Sequence, residues 1–301
     1  MAIKDLIPQK QADYNFAFLD EHTKREVRRK ILKAVAIPGY QVPFASRELP
    51  IARGWGTGGL QITLSLVGPD DVLKVIDQGC DDSVNAVSLR QLVAMTTGIK
   101  TTFETGRATV IQTRHRIPEE PLTEKQILVL QVPYPDSLRL IEPSEQKTRQ
   151  MHAEQDYSRM WVYLYEDIVN WGEVTIGARY PVLVHGRYIM DPSPIPRWDV
   201  PKLNMAQNLY LFGAGREKRI YAVGPYTQVV PLEFSDRPFQ VEDFSGKTCF
   251  YCGSKDSFLD EIFNSKTGQK IYACSDTAFC AQRLKIQSAV KEEKIVGPGK
   301  K

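Results

Sequence analysis

Long hydrophobic runs are missing from this sequence of 301 residues, and none approaches the ~18 apolar residues that a membrane-spanning helix requires. Nothing at the N-terminus resembles a signal peptide, so we expect a cytoplasmic protein whose thiols stay reduced. The formal net charge is only +3, which is too small to indicate a nucleic-acid partner. Internal repeats and low-complexity segments are also absent, which leaves an ordinary globular chain with one sizeable core and a small appendage, or two modest domains.

Cysteine is scarce, with five in the chain, yet four of them lie close together near its end. Cys249, Cys252, Cys274 and Cys280 have the spacing C-x2-C-x21-C-x5-C. A CxxC pair directs two thiolates at one centre, and a second pair that a hairpin brings back completes a tetrahedral sulfur site. The spacing therefore predicts a metal centre.

Three uses of these cysteines are compatible with the spacing. A zinc ribbon is the structural interpretation, because closed all-cysteine sites are most often structural. An iron–sulfur cluster held by three thiolates is the functional interpretation, and the unequal second spacing favours it slightly. Disulfides are disfavoured in a reducing compartment.

The residues between the two cysteine pairs are typical of a hairpin. Phe258, Leu259, Ile262 and Phe263 are expected to form one apolar patch, and residues 266–268 carry a Lys-Thr-Gly turn signal. An apolar run then leads back to the second pair.

Periodicity and turn residues predict the remaining elements. Asp20 is expected to cap a helix, Glu21–Ala36, that ends at Ile37-Pro38-Gly39. Further helices are predicted at residues 70–78, 83–97 and 145–157, strands at 60–67, 108–113, 127–132, 209–212 and 220–223, and a hairpin about His185-Gly186.

The predicted fold class is α+β: a mixed α/β core sheet with flanking helices, a central insertion and a small C-terminal four-cysteine module. We assign residues 1–134 and 199–243 to the core, 135–198 to the insertion, 244–285 to the cysteine module and 286–301 to a tail. The insertion has apolar residues of its own, including Trp161 and Tyr165, and is therefore the expected docking surface for a partner.

Six motifs in order, from about Tyr14 to Arg283, carry a family resemblance. They are Ile37-Pro-Gly-Tyr-Gln-Val-Pro-Phe44, Gly54-Trp-Gly-Thr-Gly-Gly59, Ile111-Gln-Thr-Arg-His-Arg-Ile-Pro-Glu119, Met190-Asp-Pro-Ser-Pro-Ile-Pro196, Phe212-Gly-Ala-Gly-Arg-Glu-Lys-Arg219 and the four-cysteine spacing. In these motifs the chain resembles the carbon–phosphorus lyases, radical S-adenosylmethionine enzymes that cleave α-D-ribose 1-methylphosphonate 5-phosphate. The resemblance implies an enzyme of phosphonate catabolism that forms α-D-ribose 1,2-cyclic phosphate 5-phosphate and methane. The fifth cysteine, Cys80, matches no site of that family.

The resemblance also implies roles for individual residues. Cys249, Cys252 and Cys274 would hold a [4Fe–4S] cluster at which S-adenosyl-L-methionine binds, Gly39 would carry a glycyl radical, and Cys280 would supply a thiyl radical. Zinc on all four thiolates is the expected occupant in an oxygen-exposed preparation. Without the resemblance, Gly39 is explained as an ordinary glycine that ends a helix.

A sugar substrate with a phosphonate and a phosphate must be surrounded by backbone N–H groups and cationic side chains. The candidates are Gly56 and Gly58 in a glycine-rich loop, Arg114, His115 and Arg116 at a strand end, and Arg216 and Lys218 in a second loop. Neighbouring side chains of a strand alternate in direction, so only some of these can face one pocket. Each is explained equally well as solvated surface. His22, His152 and His185 are expected to be surface or packing residues.

By the same resemblance the chain is a subunit of a multi-subunit carbon–phosphorus lyase core complex and contacts an ATP-binding-cassette-type subunit. The alternative is a non-catalytic zinc-ribbon protein that acts as a scaffold or a nucleic-acid-binding subunit. Nucleic acid is disfavoured, because Asp256, Asp260, Glu261 and Asp276 offset the lysines of the cysteine module and no basic, aromatic stripe is visible there.

Overall fold

The computed structural model describes residues 19–44, 57–77, 80–132, 136, 138–171, 182–188, 201–215, 217–231, 246–257 and 259–295. The helices are α1 (Glu21–Ala36), α2 (Thr57–Leu66), α3 (Val84–Thr97), α4 (Leu138–Ile141), α5 (Glu145–Glu154), α6 (Ser158–Trp171) and α7 (Thr277–Ile295). The strands are β1 (Val42–Pro43), β2 (Val72–Asp77), β3 (Lys100–Thr101), β4 (Val110–Arg114), β5 (Ile127–Val132), β6 (Val182–Val184), β7 (Arg187–Tyr188), β8 (Leu209–Ala214), β9 (Arg219–Val223), β10 (Val229–Pro231), β11 (Leu259–Phe263) and β12 (Lys270–Cys274).

Within these residues, seven strands form the main sheet in the order β1-β9-β8-β5-β4-β2-β3. Strands β2, β3, β4, β5 and β8 run parallel, whereas β9 runs antiparallel to both of its neighbours, β8 and β1. Two smaller sheets accompany it, β10-β6-β7 and the hairpin β11-β12. The predicted α+β class, with a mixed sheet, flanking helices and a C-terminal four-cysteine group, is confirmed.

Apolar layers cover both faces of the main sheet. On one face α1, α2 and α3 pack against the strands through buried residues such as Ile31 and Ile62. On the other face Val184 of β6 joins a cluster with Phe212 and Tyr221, whose stacked rings lie 4.6 Å apart between centroids. Each fully buried large side chain contributes about 1.5–3 kcal/mol. Burial on both faces explains why the parallel strands are continuous apolar runs in the sequence.

The strand predicted at residues 60–67 is wrong, because this segment lies in helix α2. The helix packs against the sheet on one side and against α1 and α3 on the other. Polar and apolar side chains are therefore buried alike: Leu60, Gln61, Ile62, Thr63, Leu64 and Ser65. A helix that is buried on all sides has no exposed polar face. Its alternating polar and apolar residues therefore resemble the pattern of a strand, although the segment is helical.

The helix predicted at residues 70–78 is also wrong, because this segment forms strand β2, which lies between β3 and β4 in the sheet. A strand buried on both faces shows a short apolar run that periodicity cannot distinguish from a buried helix. Lys74 interrupts that run and is nevertheless buried. Its ammonium group lies 3.3 Å from the carboxylate of Asp81 and donates to the carbonyl of Phe103.

Helix α1 and the turn after it follow the prediction. The carboxylate of Asp20 accepts a 2.8 Å hydrogen bond from the N–H of Thr23, as an N-cap does. After the helix, the N–H of Tyr40 donates to the carbonyl of Ile37 at 3.0 Å, and Gly39 has a φ of 76°. These values fit a type II turn, whose third residue needs a positive φ and is usually glycine.

Most of the other predicted elements are also confirmed, with bounds shifted by a few residues. They are the helices at 83–97 and 145–157, the strands at 108–113, 127–132, 209–212 and 220–223, and the hairpin about His185-Gly186. The hairpin joins the predicted insertion to the core, because β6 pairs with β10 and its Val182 and Val184 are buried. Helix α7 continues to Ile295, into the segment predicted as a tail. The domain boundaries stay a prediction.

The carboxyl ends of the parallel strands meet at one edge of the main sheet. Asp77 at the end of β2 is in register with Arg114 at the end of β4, and Arg114 is in register with Gln131 of β5. Gln131 in turn is in register with Gly213 of β8. Open sheets of parallel strands bind ligands outside this edge, and both candidate sites described below border it.

Candidate metal centre and the cavity beside Gly39

The first two cysteines lie on a tight knuckle before β11. The N–H of Gly253 donates to the carbonyl of Cys249 at 2.8 Å, and Gly253 takes a φ of 67° that favours glycine. The N–H groups of Cys252 and Cys274 lie 3.5 and 3.4 Å from the Sγ of Cys249. Backbone donors aimed at a sulfur are typical of a thiolate knuckle.

The second pair comes from the end of β12 and the start of α7. Cys274 is the last residue of β12, and its Sγ lies 3.1 Å from the hydroxyl oxygen of Ser257. Asp276 begins α7 by accepting a 2.9 Å hydrogen bond from the N–H of Phe279, and its carbonyl accepts from the N–H of Cys280 at 3.1 Å. The helix thereby turns the Cys280 side chain back toward the knuckle.

The four sulfur atoms converge on one centre. All four lie within 4.8 Å of one another, with 3.8 Å between Cys249 and Cys280 and 3.5 Å between Cys252 and Cys274. All four side chains are buried. The predicted set of four metal ligands is therefore brought together, and the group could hold a metal ion.

Burial and mutual contact make these thiols hard to ionise together. Burial raises the pKa of Cys280 to about 12 and raises that of Cys274 as well. Burial also opposes ionisation of Cys249, but the backbone N–H groups of Cys252, Cys274 and Tyr251 outweigh it and lower the pKa of Cys249 to about 6. Several adjacent thiolates therefore need a cation to compensate their charge.

The donor set fits both predicted occupants. Zinc–sulfur bonds of about 2.3 Å place tetrahedral thiolates about 3.8 Å apart, which matches the separations observed. An iron–sulfur cluster uses the same thiolate donors. Each iron of a cluster takes its own thiolate, however, so a cluster holds its thiolates farther apart than a single ion does. The sulfur positions as they stand fit a single ion.

The hairpin between the cysteine pairs does not carry one apolar patch. Leu259 is buried under the cysteines, whereas Phe263 at the other end of β11 is 70% exposed. Side chains four positions apart share a face of a strand, but only the end of β11 near the metal centre is covered. Phe258 lies outside the described residues. The turn and the returning strand are confirmed.

The cysteine module borders the carboxyl edge of the main sheet. Cys80 follows β2 directly and hydrogen-bonds Thr277 at the start of α7. Burial raises the pKa of Asp276 to about 6, while Arg116 after β4 opposes this rise. The metal centre is therefore anchored beside β2 and β4.

A cavity of about 710 Å³ borders the same edge beside β5 and β8. Gly39 lines it, and Asp136 after β5 and Arg219 at the start of β9 lie in its wall. Among the described residues that line it there is no cysteine. The structure therefore places Gly39 and the four cysteines along one edge of the sheet, but in separate sites.

Comparison with known proteins shows the family of this chain. The family described as "Phosphonate metabolism protein PhnJ" matches residues 12–286, which is most of the chain. The chain belongs to the PhnJ family. It is 58% identical over 275 residues to the "Alpha-D-ribose 1-methylphosphonate 5-phosphate C-P lyase" of Escherichia coli (strain K12), covering 91% of this chain and 98% of that one. It is also 58% identical over 272 residues to the "Alpha-D-ribose 1-methylphosphonate 5-phosphate C-P-lyase" of Rhizobium meliloti (strain 1021), covering 90% and 91%.

In this PhnJ family member the predicted arginines at the end of β4 and just after it are held by internal partners. Arg114 lies 2.8 Å from the buried carboxylate of Asp77. Arg116 is itself buried and pairs with Glu119, which also accepts from Lys202 at 2.9 Å. These ion pairs fix the end of β4, and the assignment of both arginines to substrate phosphate stays a prediction.

His115, between the two arginines, has a φ of 72°, which is uncommon for a residue with a side chain. Burial lowers its pKa, and the positive charge of Arg114 lowers it further, while Asp77 opposes the shift. His115 therefore lies in a left-handed backbone position at the carboxyl edge, and its assignment to substrate phosphate stays a prediction.

The other phosphate candidates have different surroundings. Gly58 lies in the first turn of α2, where a Cβ would meet the backbone of residues 213–215 at 2.7–2.8 Å. The carbonyl of Lys218 accepts a 2.9 Å hydrogen bond from the N–H of Phe44, which holds β1 against β9. Gly56 and Arg216 lie outside the described residues.

Sequence reasoning missed the polar wall of the cavity in this PhnJ family member. His152 was expected at the surface or in packing, yet its Nε2 lies 2.8 Å from the carboxylate of Asp136, and both residues line the cavity. The signal was present in α5, where Glu145, Arg149 and His152 recur at i, i+4 and i+7 and therefore share one helix face. Polar residues on one helix face are usually exposed to solvent, and only the tertiary structure shows that these three line the cavity.

No helix among the described residues is both long and apolar enough to cross a lipid bilayer.

Proposed function

We propose that this chain is a cytoplasmic carbon–phosphorus lyase. It cleaves α-D-ribose 1-methylphosphonate 5-phosphate to α-D-ribose 1,2-cyclic phosphate 5-phosphate and methane by radical chemistry. The observation that carries the proposal is 58% identity over nine-tenths of the chain to two proteins named for this reaction. The converging cysteines support it, because they supply the thiolate donors that an iron–sulfur enzyme requires.

Cys249, Cys252 and Cys274 would hold a [4Fe–4S] cluster with S-adenosyl-L-methionine at its open iron. When bound, the two together supply a carbon-centred radical that can remove a hydrogen atom from a glycine. To accept a cluster the three sulfurs must move apart and Cys280 must leave the group, since the present separations suit a single ion. We therefore assign zinc, on all four thiolates, to the oxygen-exposed protein.

Gly39 would carry the glycyl radical. Its position in a turn with a φ of 76°, on the wall of a cavity, leaves its α-carbon open to a ligand without a side chain in the way. The absence of a Cβ lets this carbon flatten, and the flanking amide groups delocalise the unpaired electron.

Cys280 would transfer the radical to the substrate. Gly39 and Cys280 lie in separate sites in this structure, so the transfer requires the cysteine module to move toward the cavity. The S–H bond of Cys280 then breaks as a C–H bond forms at Gly39, which leaves a thiyl radical on sulfur. The sulfur then bonds to phosphorus and the carbon–phosphorus bond breaks homolytically. The methyl radical takes a hydrogen atom from the α-carbon of Gly39, which restores the glycyl radical, and departs as methane. The ribose 2′-hydroxyl finally displaces sulfur from phosphorus, which closes the cyclic phosphate.

Helix α6 would dock a partner of the multi-subunit complex, an ATP-binding-cassette-type subunit. Val162, Tyr165 and Val169 recur at i, i+3 and i+7 on this helix, and all three are exposed. Val169→Asp should abolish copurification of that subunit, while Val84→Asp, at an exposed valine of α3, should not. Equal copurification with both variants contradicts the assignment.

The enzyme assignment is tested by reconstituting the complex with iron and sulfide in the absence of oxygen. Methane is then measured by gas chromatography after addition of the substrate, S-adenosyl-L-methionine and a reductant. We expect methane and 5′-deoxyadenosine only from the iron-loaded protein. A colourless zinc protein that binds its partners but releases no methane under these conditions would instead favour the scaffold alternative.

A further inference from the structure

The cavity beside Gly39 has walls from distant parts of the chain. Helix α5 supplies one wall, Arg139 of α4 lies beside it, and Pro43, Arg187 and Arg219 close the other sides. Its volume of about 710 Å³ lies within the range of pockets that bind small molecules.

Four guanidinium groups line this cavity beside three carboxylates, those of Asp136, Glu145 and Glu217. Arg139, Arg149, Arg187 and Arg219 all line it. Three of the four share a single carboxylate, that of Glu145, at 3.9 Å from Arg139, 2.5 Å from Arg149 and 3.9 Å from Arg219. Glu217, which also lines the cavity, lies 3.9 Å from Arg219. Two carboxylates do not neutralise these three guanidinium groups and Arg187, so the arginines form a site that attracts a further or stronger anion.

The cavity wall near His152 also offers fixed groups that can contact hydroxyls. His152 hydrogen-bonds the buried carboxylate of Asp136 at 2.8 Å, and its other ring nitrogen lies 3.3 Å from the hydroxyl of Tyr157. Asp136 also accepts a 3.0 Å hydrogen bond from the N–H of Leu138. This chain of contacts holds the imidazole in one orientation on the cavity wall.

We propose that this cavity binds the phosphate end of a phosphorylated pentose, with the phosphate held by Arg139, Arg149 and Arg219. The identity of the sugar rests on the proposed function, whereas the anion site rests on the geometry alone. A phosphate dianion has more charge and more acceptor oxygens than a carboxylate, so it displaces Glu145 from the three arginines. The sugar then lies against the polar wall and next to the α-carbon of Gly39.

Calorimetric titration of the full-length, cluster-free chain with ribose 5-phosphate tests the site. We expect saturable binding, weaker binding of inorganic phosphate and no measurable binding of ribose. Arg139→Gln and Arg219→Gln should each weaken ribose 5-phosphate binding about tenfold or more, the loss of a charge-assisted hydrogen bond. Arg149→Gln should weaken it as well, and because that side chain is exposed we expect the substitution to leave the fold intact.

Two further variants separate a binding site from a structural ion-pair network. Glu145→Gln should tighten binding about threefold or more, because the internal competitor for the arginines is removed. Arg107→Gln removes an exposed arginine that pairs with Glu104 at 3.2 Å, outside the cavity, and should leave binding unchanged. Weaker binding after Glu145→Gln, equal binding of phosphate and the sugar phosphate, or no binding at all would overturn the proposal.

The titration needs neither iron nor S-adenosyl-L-methionine, so the two proposals can fail separately. Ribose 5-phosphate binding without methane release in the reconstituted complex contradicts the proposed radical lyase activity but supports the proposed sugar-phosphate site in the cavity. The opposite result is also possible: no binding in the titration, and methane release that is unchanged in Arg139→Gln, Arg149→Gln and Arg219→Gln. That result contradicts the proposed sugar-phosphate site and supports the proposed lyase activity.

Discussion

Gly58 and Gly213 pack backbone against backbone. A Cβ on Gly58 would lie 2.8 Å from the carbonyl carbon of Gly213, and a Cβ on Gly213 would lie 2.7 Å from the carbonyl carbon of Gly58. This contact seats the first turn of α2 on the end of β8, and the N–H of Gly59 then reaches the side chain of Gln131 on β5 at 2.5 Å. The carboxyl edge of the sheet therefore depends on two positions that tolerate no side chain.

Gly58→Ala and Gly213→Ala should each destabilise the protein by about 1–3 kcal/mol, the usual cost of forcing an extra methyl group into a packed interior. The clash is with backbone atoms, which cannot rotate away. Urea denaturation measures the loss, and Gly106→Ala is the control because a Cβ there meets nothing within 4 Å. Equal stability of the Gly58 and Gly106 variants would show that α2 can move off β8 at no cost.

Gly39→Asn should abolish methane release and leave the fold and the iron content intact. Asparagine accepts a positive φ better than other residues with a side chain, so the turn survives while the radical-bearing glycine is lost. Gly98→Asn is the matched control, because Gly98 has a φ of 74° at the end of α3 with nothing within 4 Å of a Cβ. Methane release by the Gly39 variant at the wild-type rate contradicts the relay, and iron loss in that variant alone indicates a structural role.

Substitutions of the cysteines should have different effects in the zinc protein and in the iron–sulfur protein. Purified in air, the wild-type chain and Cys80→Ser should each contain about one zinc ion, because Cys80 is not among the converging thiols. Reconstituted with iron and sulfide, Cys252→Ser should lose the cluster, whereas Cys280→Ser should keep the cluster and lose methane release. Metal analysis and the cluster absorption report the result. Complete iron loss in Cys280→Ser would make Cys280 a ligand rather than the proposed radical thiol.

His115 should make the protein less stable in acid. Its pKa is lowered in the folded state by burial and by Arg114, so the unfolded chain binds the proton more readily. The free energy of unfolding therefore falls as pH drops below about 6.5, the ordinary histidine pKa, and the loss ends below the lowered pKa of the folded protein. His115→Asn keeps the left-handed backbone and should flatten this part of the profile of stability against pH. An unchanged slope means that other groups cause the acid loss.

The sequence determined the metal centre almost completely. Cys249 and Cys252 lie on the knuckle before the hairpin, Cys274 ends the hairpin and Cys280 lies in the next turn, so short-range geometry brings them together wherever the hairpin forms. The capped helix α1 and the turn at Gly39 could be predicted for the same reason, since their signals lie within a few residues of the structures they specify.

The tertiary structure decided the rest. The sequence predicts a strand where helix α2 lies and a helix where strand β2 lies. Both segments are buried on all sides, and burial removes the amphipathic pattern that distinguishes a helix from a strand. The cavity is invisible in the sequence because Gly39, Arg139, His152, Arg187 and Arg219 come from separate elements that meet only when the sheet is assembled. Local spacing specifies ligands that lie on one hairpin, whereas a pocket with walls from several elements exists only once long-range packing has formed it.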